Sequence, residues 1–331
     1  MRKHMTAVLA IAGFICGVVF GGQPAEAKVT WTAYTFGPSE TLGSVKALRQ
    51  IIDAIEKETN GEIKINLHLA GSLPIKSTNI TQAMGEGIVQ FGDDGFFLGN
   101  VPIAGILRLP MLLRNMEEFD KVQAAMKPYI ERAFEKQGVV VLGHYTFPFQ
   151  VAWSTKKLTT LDDFKGQKMR VSSPEQAAFV ERFGGAAITL GGAEVPTALQ
   201  RGTVDGVFTA SAGGGKIWGD MLNYNYRLGV NYFNTVYLVN KEAFDQLSPE
   251  LQKTVREVTA RLAPNATELM MNEENAVTAK LKAAGMVITV PGADEVKAAT
   301  ARMAPYWDEW AKKRGPEAVE ALAKVRAVLG R

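Results

Sequence analysis

Strand-like and helix-like patterns alternate along this chain, and that alternation restricts the fold to the α/β class. In the segment 63–69 every second residue is apolar, which predicts a half-buried strand. Apolar residues at helical spacing occupy 45–55, ahead of a helix stop at Asn60 and Gly61. The run 138–145 is nearly all apolar, as in a strand covered on both faces. With about 300 residues after the leader described below, the chain is expected to form two domains.

Two distant segments share one local pattern. Residues 80–94 and 195–209 both contain Ala, an apolar residue, Gly and Val at the same spacing. Each predicts a helix, a glycine turn and a strand. Any helix-to-strand joint can have this pattern, and so can two lobes of related topology; the alternating elements favour two sheet domains.

The first 27 residues have the three parts of a secretory signal peptide: a basic start, an apolar stretch and a small-residue exit at Ala25, Glu26 and Ala27. We expect cleavage after Ala27 and export from the cytoplasm. No later stretch is apolar over the roughly 20 residues that a membrane-spanning helix needs. The single cysteine, Cys16, lies in this leader, so the mature chain would have no disulfide, thiolate metal site or cysteine nucleophile.

Charge and histidine content argue against several classes of function. The formal net charge is +3, and about +2 without the leader, which argues against a nucleic-acid partner. His68 and His144, the histidines beyond the leader, lack metal-ligand spacing and are expected to be structural, which argues against a zinc site or a hydrolytic triad. The pair Asp93 and Asp94 is more typical of a turn or cap than of a calcium site. We expect no metal and no cofactor.

The stretch GGGKIWG at 213–219 invites comparison with a phosphate-binding loop. Such a loop needs a glycine where Ala210 stands and Ser or Thr where Ile217 stands. The sequence therefore argues against a nucleotide site here.

An arginine stands at a strand-to-helix junction in KGQKMRV, residues 165–171. Strand alternation places Lys168 and Arg170 on one face, and a helix start follows at Ser173. From spacing alone, a salt bridge from Arg170 to Glu194 or Asp205 is the more probable role, and anion binding is the alternative.

Several longer segments carry a resemblance to a known family. They are LTTLDDFKGQKMRV, FGGAAITLGGAEVPTALQRGTVDG and LVNKEAFDQLSPELQ, with ETNGEIKINLHLAGSL and LRLPMLLRNMEEFDKV upstream. In this order they resemble the DctP-type solute-binding proteins of tripartite ATP-independent periplasmic (TRAP) transporters. The resemblance implies a two-lobed periplasmic-binding-protein fold that binds an organic anion and delivers it to a permease of a small and a large membrane subunit. It implies a binding protein and not an enzyme.

The resemblance also favours anion binding over a salt bridge as the role of Arg170. This residue aligns with the arginine that in the family typically pairs with the ligand's carboxylate. A guanidinium is planar, stays charged in a dry cleft and offers two parallel donors to a carboxylate. By the same resemblance, Lys168 is expected to be solvated.

Departures from the family pattern predict a ligand with one acid group and an apolar or aromatic body. Gln150 aligns with a second arginine of some members, and 207–209 reads Val-Phe-Thr where many members have Glu-Asn. The predicted ligand-binding residues are Arg170, Gln150, Thr209, Phe208, Trp153, Phe149, Phe147 and Trp218. A small dicarboxylate or a sulfonate is an alternative ligand, and an exported α/β enzyme or a ligand-sensing protein is an alternative function.

The predicted architecture has a hinge and a long helix that spans both lobes. Lobe I is assigned to 28–147 and 235–275, and lobe II to 148–234 and 276–331. Chain crossings are expected near 147–150 and 232–236. The spanning helix is expected to begin after Ser248 and to run to Gly285, with a kink at Pro264.

Overall fold

The structure, a computed structural model, describes residues 29–331. The predicted signal peptide, with its cleavage site after Ala27, lies outside the described residues. Within 29–331 no helix combines the length and the apolar character needed to cross a bilayer.

The described residues form one mixed sheet with helices on its faces. The strands are β1 (Val29–Tyr34), β2 (Ile63–His68), β3 (Phe91–Asp94), β4 (Val139–Ser154), β5 (Lys168–Val171), β6 (Ala186–Thr189), β7 (Gly206–Thr209), β8 (Tyr224–Asn240) and β9 (Val287–Thr289). The α-helices are α1 (Gly43–Glu58), α2 (Ile80–Gly85), α3 (Met116–Glu135), α4 (Pro174–Arg182), α5 (Val195–Gln200), α6 (Lys216–Trp218), α7 (Lys241–Asp245), α8 (Pro249–Leu262), α9 (Pro264–Ala283), α10 (Ala293–Arg314) and α11 (Pro316–Leu329). Short 3-10 turns include Pro102–Arg108, and Ser211–Gly215 forms a single π-turn.

Two long strands join two groups of short parallel strands. The sheet order is β2-β1-β3-β8-β4-β7-β5-β6, and β9 pairs with β8. We define lobe I as β1–β3 with the halves of β4 and β8 beside them, and lobe II as β5–β7 and β9 with the other halves. The predicted two-lobed α/β fold is confirmed.

The two lobes repeat one topology. In lobe I, β1 is flanked by β2 and β3, all parallel. In lobe II, β5 is flanked by β6 and β7, again parallel. The segments that share the local pattern form α2 and β3 in one lobe and α5 and β7 in the other. Their turn glycines, Gly87 and Gly202, have φ of 75° and 64°, where a side chain would be strained. Related lobe topology therefore explains the repeated pattern.

The long strands change register where they pass between the lobes. Phe147 pairs with Phe233 and Gln150 pairs with Asn231, with irregular pairing between these two positions and again before Ala152. Irregularities of this kind bend a strand and locally disrupt its pairing. They fall at the crossing predicted near 147–150.

A nearly continuous helix spans both lobes, as predicted. Ser248 caps α8 by accepting a hydrogen bond from the Leu251 amide, and Ala263 keeps helical dihedral angles between α8 and α9. Pro264 separates the two helices because proline supplies no amide hydrogen. Along α9, Met270 packs in the lobe I core, whereas Leu281 packs in a lobe II core.

The C-terminal helices differ from the predicted lobe division, which assigned 276–331 to lobe II. On α10, Met303 packs in a lobe II core and Trp310 in the lobe I core. The buried face of α11 packs in the lobe I core, against α3. The amphipathic pattern of α11 predicts a buried face but does not name the surface that covers it.

Candidate functional site

A cavity of about 50 Å3 lies between the lobes, at the ends of strands from both. Open α/β sheets bind ligands beyond the carboxyl ends of their strands. Phe36 follows β1 and Phe96 follows β3 in lobe I, while Ser172 follows β5 and Thr209 ends β7 in lobe II. The repeated topology thus directs two sets of strand ends at one space.

Arg170 projects from β5 into this cavity and is 4% exposed. Its Nε donates to the Leu190 carbonyl at 2.9 Å, and its Nη1 donates to the Phe208 carbonyl at 3.2 Å. Among residues 29–331, Nη2 has no hydrogen-bond partner. Backbone carbonyls therefore hold the guanidinium in place and leave donor capacity for a ligand.

No carboxylate of the described chain lies within ion-pairing distance of Arg170. Asp205 pairs instead with Lys156 at 2.8 Å, and Glu194 accepts a hydrogen bond from the Gly191 amide at 2.9 Å. Burial lowers the pKa of Arg170 to about 10, and the nearby charge of Glu194 opposes that shift. The guanidinium thus stays protonated at neutral pH. A buried charge without a partner is costly, so the cavity is suited to an anion.

Five aromatic rings also line the cavity, those of Phe36, Phe96, Phe147, Trp218 and Phe233. Phe36 and Phe96 lie 5.8 Å apart, and Phe233 lies 5.4 Å from Phe147, in edge-to-face arrangements. The Arg170 Cζ lies 5.7 Å from the Phe96 ring centre and 5.5 Å from that of Trp218. Rings at these distances stabilise the cation through their π faces.

Besides Arg170, three polar side chains line the cavity. The Gln150 Nε2 donates to the Pro148 carbonyl at 3.0 Å. Ser172 donates through its hydroxyl to Gln176 at 2.9 Å, and the Thr209 hydroxyl accepts from the Gly214 amide at 2.8 Å. Their positions are thus set by hydrogen bonds within the protein, which favours a preformed site.

The glycine-rich turn that the sequence excluded as a phosphate loop forms one side of the cavity. Gly213 and Gly214 line it. A Cβ on Gly214 would lie 2.1 Å from the Trp218 ring, so only glycine lets the turn approach that ring. Glu274 of α9 accepts a hydrogen bond from the Ala212 amide at 2.8 Å, which ties the turn to the spanning helix.

The structure brings five of the eight predicted ligand-binding residues to the cavity: Arg170, Gln150, Thr209, Phe147 and Trp218. Phe208 packs its side chain on Phe164 and Phe179 in a lobe II core, since neighbouring strand residues face opposite sides of the sheet. Trp153 packs in the other lobe II core and donates to the Thr209 carbonyl at 2.9 Å. Phe149 stacks on Tyr232 at 4.0 Å and lines a different cavity.

Sequence reasoning missed the lobe I wall. Phe36, Phe96 and Phe233 line the cavity but lie outside the segments whose departures were compared with the family pattern. Two of these residues could have been predicted from the sequence, because Phe36 and Phe96 each follow the end of a parallel strand. Position after a strand end is therefore a better guide than residue type alone.

A buried polar network lies behind this wall. Arg108 has no solvent exposure, its Cζ lies 4.0 Å from the Phe233 ring centre, and its Nε donates to Asn234 at 2.7 Å. Asp94 accepts from the Phe96 amide at 2.6 Å, which agrees with the predicted capping role. Burial lowers the pKa of Arg108 to about 9 and raises the pKa of Asp94 to about 6.

Asp93, the residue before Asp94 on β3, makes a separate set of hydrogen bonds on the other face of the strand. Its Oδ2 accepts from the Tyr145 hydroxyl at 2.5 Å. Burial raises the pKa of Asp93 to about 7, although hydrogen bonds from Tyr145 and Thr35 favour its charged form. Arg108 and Asp94 therefore support the wall from behind, and neither they nor Asp93 line the cavity. Residues 29–331 contain no cluster of three or more His, Cys, Asp or Glu suited to a metal ion.

Residues 36–313 match the family described as bacterial extracellular solute-binding protein, family 7, the DctP family. The chain belongs to this family. As predicted, this family 7 protein is a solute receptor of the TRAP type and not an enzyme. Members of this group are periplasmic, bind small organic anions and work with membrane permease subunits.

Several characterised relatives are similar to this protein over most of its length. The C4-dicarboxylate-binding periplasmic protein DctP of Rhodobacter capsulatus is 25% identical over 321 residues, with 92% of each chain covered. The ectoine/5-hydroxyectoine-binding periplasmic protein UehA of Ruegeria pomeroyi is 29% identical over 254 residues, with 72% of each covered. The crystal structure of DctP6, a Bordetella pertussis extracytoplasmic solute receptor binding pyroglutamic acid, is 25% identical with a TM-score of 0.83. It covers 91% of this chain and 100% of that one.

Proposed function

We propose that this family 7 protein binds a small organic acid with one carboxylate and a compact, flat or apolar body. The observation that carries the proposal is the guanidinium of Arg170, buried in the interlobe cavity without a carboxylate partner in the described chain. A ligand carboxylate supplies the missing charge and accepts the unused donors.

The size of the cavity favours a small ligand. A volume of about 50 Å3 holds about four water molecules, since each needs roughly 10–15 Å3 by this measure. The rings of Phe36, Phe96 and Phe233 leave flat apolar contact surfaces around that space. Pyroglutamate, which the Bordetella pertussis receptor binds, combines one carboxylate with a small ring, and we propose a ligand of that size.

The proposed roles divide among the lining residues. Arg170 binds the carboxylate, while Gln150, Ser172 and Thr209 are hydrogen-bond partners for other polar groups. Rings of Phe147 and Trp218, with those of the lobe I wall, enclose the body of the ligand. A dicarboxylate would need a second cation, and Gln150 occupies the position where some relatives have one.

Delivery requires a partner and export. We propose a TRAP permease of a small and a large membrane subunit as the partner, with residues 1–27 as the export signal. Mature protein purified from the periplasm is then expected to begin at Lys28. An intact N-terminus would contradict the proposed cleavage.

A thermal-shift screen tests the ligand class, because a ligand that binds only the folded state raises the melting temperature. The panel is pyroglutamate, 2-acetolactate, orotate, gulonate, succinate and a short alkyl sulfonate. We expect the largest shift with a compact monocarboxylate and none with the Arg170→Ala variant. Arg49→Ala, which removes an exposed arginine paired with Glu40, is the control and should respond like the wild type. A clear preference for succinate would contradict the single-carboxylate proposal.

A further inference from the structure

A lysine of the glycine-rich turn region makes a contact across the cleft. Lys216 begins α6, between the cavity-lining Gly214 and Ile217. Its Nζ donates to the Thr41 carbonyl at 2.9 Å and to Glu273 of α9 at 2.8 Å. The residue stands in the motif that resembles, but cannot be, a phosphate loop.

The bond to Thr41 joins the lobes at the edge of the cavity. Thr41 lies between β1 and α1 of lobe I, next to Leu42, which lines the cavity. Lys216 follows β7 of lobe II. Separation of the lobes must therefore break this bond, whereas a hydrogen bond within one lobe would survive it.

We propose that Lys216 is a positioning residue that holds the cleft shut over the bound acid and sets the rate of ligand release. The inference rests on the proposed function. Lys216 does not line the cavity, so it should affect how long any acid stays bound without changing which acid is preferred. The side chain is 25% exposed, which limits the expected effect to about three- to tenfold in the dissociation rate.

Lys46 provides a matched control. It reaches the same carboxylate, with Nζ 3.9 Å from the Glu273 Oε1, and its side chain is 49% exposed. It belongs to α1 of lobe I and makes no hydrogen bond to lobe II in the described chain. Removal of either ammonium changes the net charge equally and takes a cation away from Glu273, and only Lys216→Met also removes the bond to Thr41.

The test measures association and dissociation of pyroglutamate, orotate and gulonate by stopped-flow tryptophan fluorescence, for the wild type, Lys216→Met and Lys46→Met. We expect Lys216→Met to raise each dissociation rate about three- to tenfold, with association rates within about twofold and the same order of preference. Lys46→Met should match the wild type. The melting temperature without ligand should be the same for all three proteins.

Equal dissociation rates for Lys216→Met and the wild type would overturn the inference. So would a change confined to one of the acids, which would mean that Lys216 contacts ligand, or a lowered melting temperature with unchanged dissociation, which would mean a purely structural role. A wild-type protein that binds none of the three acids would instead overturn the proposed ligand class, and with it the proposed role of Lys216.

Discussion

The two lobes build opposite walls of one cavity from different chemistry. Lobe I supplies the rings of Phe36, Phe96 and Phe233, and its charged groups stay behind that wall. Lobe II supplies Arg170 and the hydroxyl groups of Ser172 and Thr209. Because both lobes have the same strand order, the repeated topology determines where the strand ends lie. It does not determine which side chains stand at those ends. One lobe gives the cavity its shape, and the other gives it its charge.

The largest expected effect comes from the lobe I wall. Phe233 is 4% exposed and packs between Arg108 and the other rings. Phe233→Ala should lower the free energy of unfolding by about 3–5 kcal/mol, because it leaves a cavity in a packed core. Urea unfolding of the ligand-free protein measures this. Val290→Ala, at a side chain that is 74% exposed, should change it by less than about 0.5 kcal/mol. A loss under about 1 kcal/mol for Phe233→Ala would show that the wall is not a structural unit.

Removal of the lobe II cation, Arg170, should affect binding of the acid and not the stability of the protein. Arg170→Ala should weaken acid binding by about 2–5 kcal/mol, because the ligand's buried carboxylate loses its partner. It should not lower the unfolding free energy of the ligand-free protein, since it removes a buried charge that pairs with no carboxylate of residues 29–331. Arg170→Lys keeps the charge but lacks the two parallel donors of a guanidinium, so its affinity for the acid should lie between those of the wild type and Arg170→Ala. Calorimetry and urea unfolding measure the two quantities. If Arg170→Ala lowered the unfolding free energy as much as Phe233→Ala does, the proposed difference between the two lobes would be wrong.

The pH dependence of stability tests the buried carboxyl group of Asp93 in lobe I. The pKa of Asp93 in the folded protein, raised by burial to about 7, exceeds its ordinary value of 3.8, so between these two pH values the folded state binds more protons than the unfolded state. Wild-type stability therefore decreases as pH rises through this window. Relative to Asp93→Asn, the unfolding free energy of the wild type should fall by roughly 2–4 kcal/mol between about pH 4 and pH 8.

Urea unfolding at several pH values measures this difference, with Glu257→Gln, at an exposed carboxyl group, as control. Acid binding by Asp93→Asn at pH 7 should match the wild type, because Asp93 does not line the cavity. A parallel pH profile for variant and wild type would contradict the role of the buried carboxyl group.

The smallest expected effect concerns the glycine-rich turn of lobe II. Gly214→Ala should cost about 1–3 kcal/mol of stability, because the new Cβ displaces the Trp218 ring. That ring lies beside Arg170, so acid affinity should fall as well. Gly99→Ala, where nothing lies within 4 Å of the new atom, is the control. Thermal unfolding and calorimetry measure both quantities, and unchanged affinity would show that Trp218 has no part in binding.

Prediction from sequence succeeded where local signals were strong. The serine cap before α8 and the proline that begins α9 marked the spanning helix, and the motif around Arg170 marked the strand end that enters the cavity. Adjacent residues 208 and 209 were both predicted to contact ligand, yet a strand directs them to opposite faces. Alternation along a strand is itself visible in the sequence, and it already shows that only one of these two side chains can face the cleft.

The sequence by itself determined the α/β class, the two-lobed family fold and a cation at the end of β5. Hydrophobic periodicity, helix caps and sequence motifs each involve residues close together in the chain, so the sequence alone shows them. Only the tertiary structure decided that no carboxylate of residues 29–331 pairs with the guanidinium, that the rings of lobe I close the cavity, and that Lys216 reaches Thr41. Each of these depends on residues far apart in sequence, and their distances are set by how the two lobes pack across the bent strands β4 and β8.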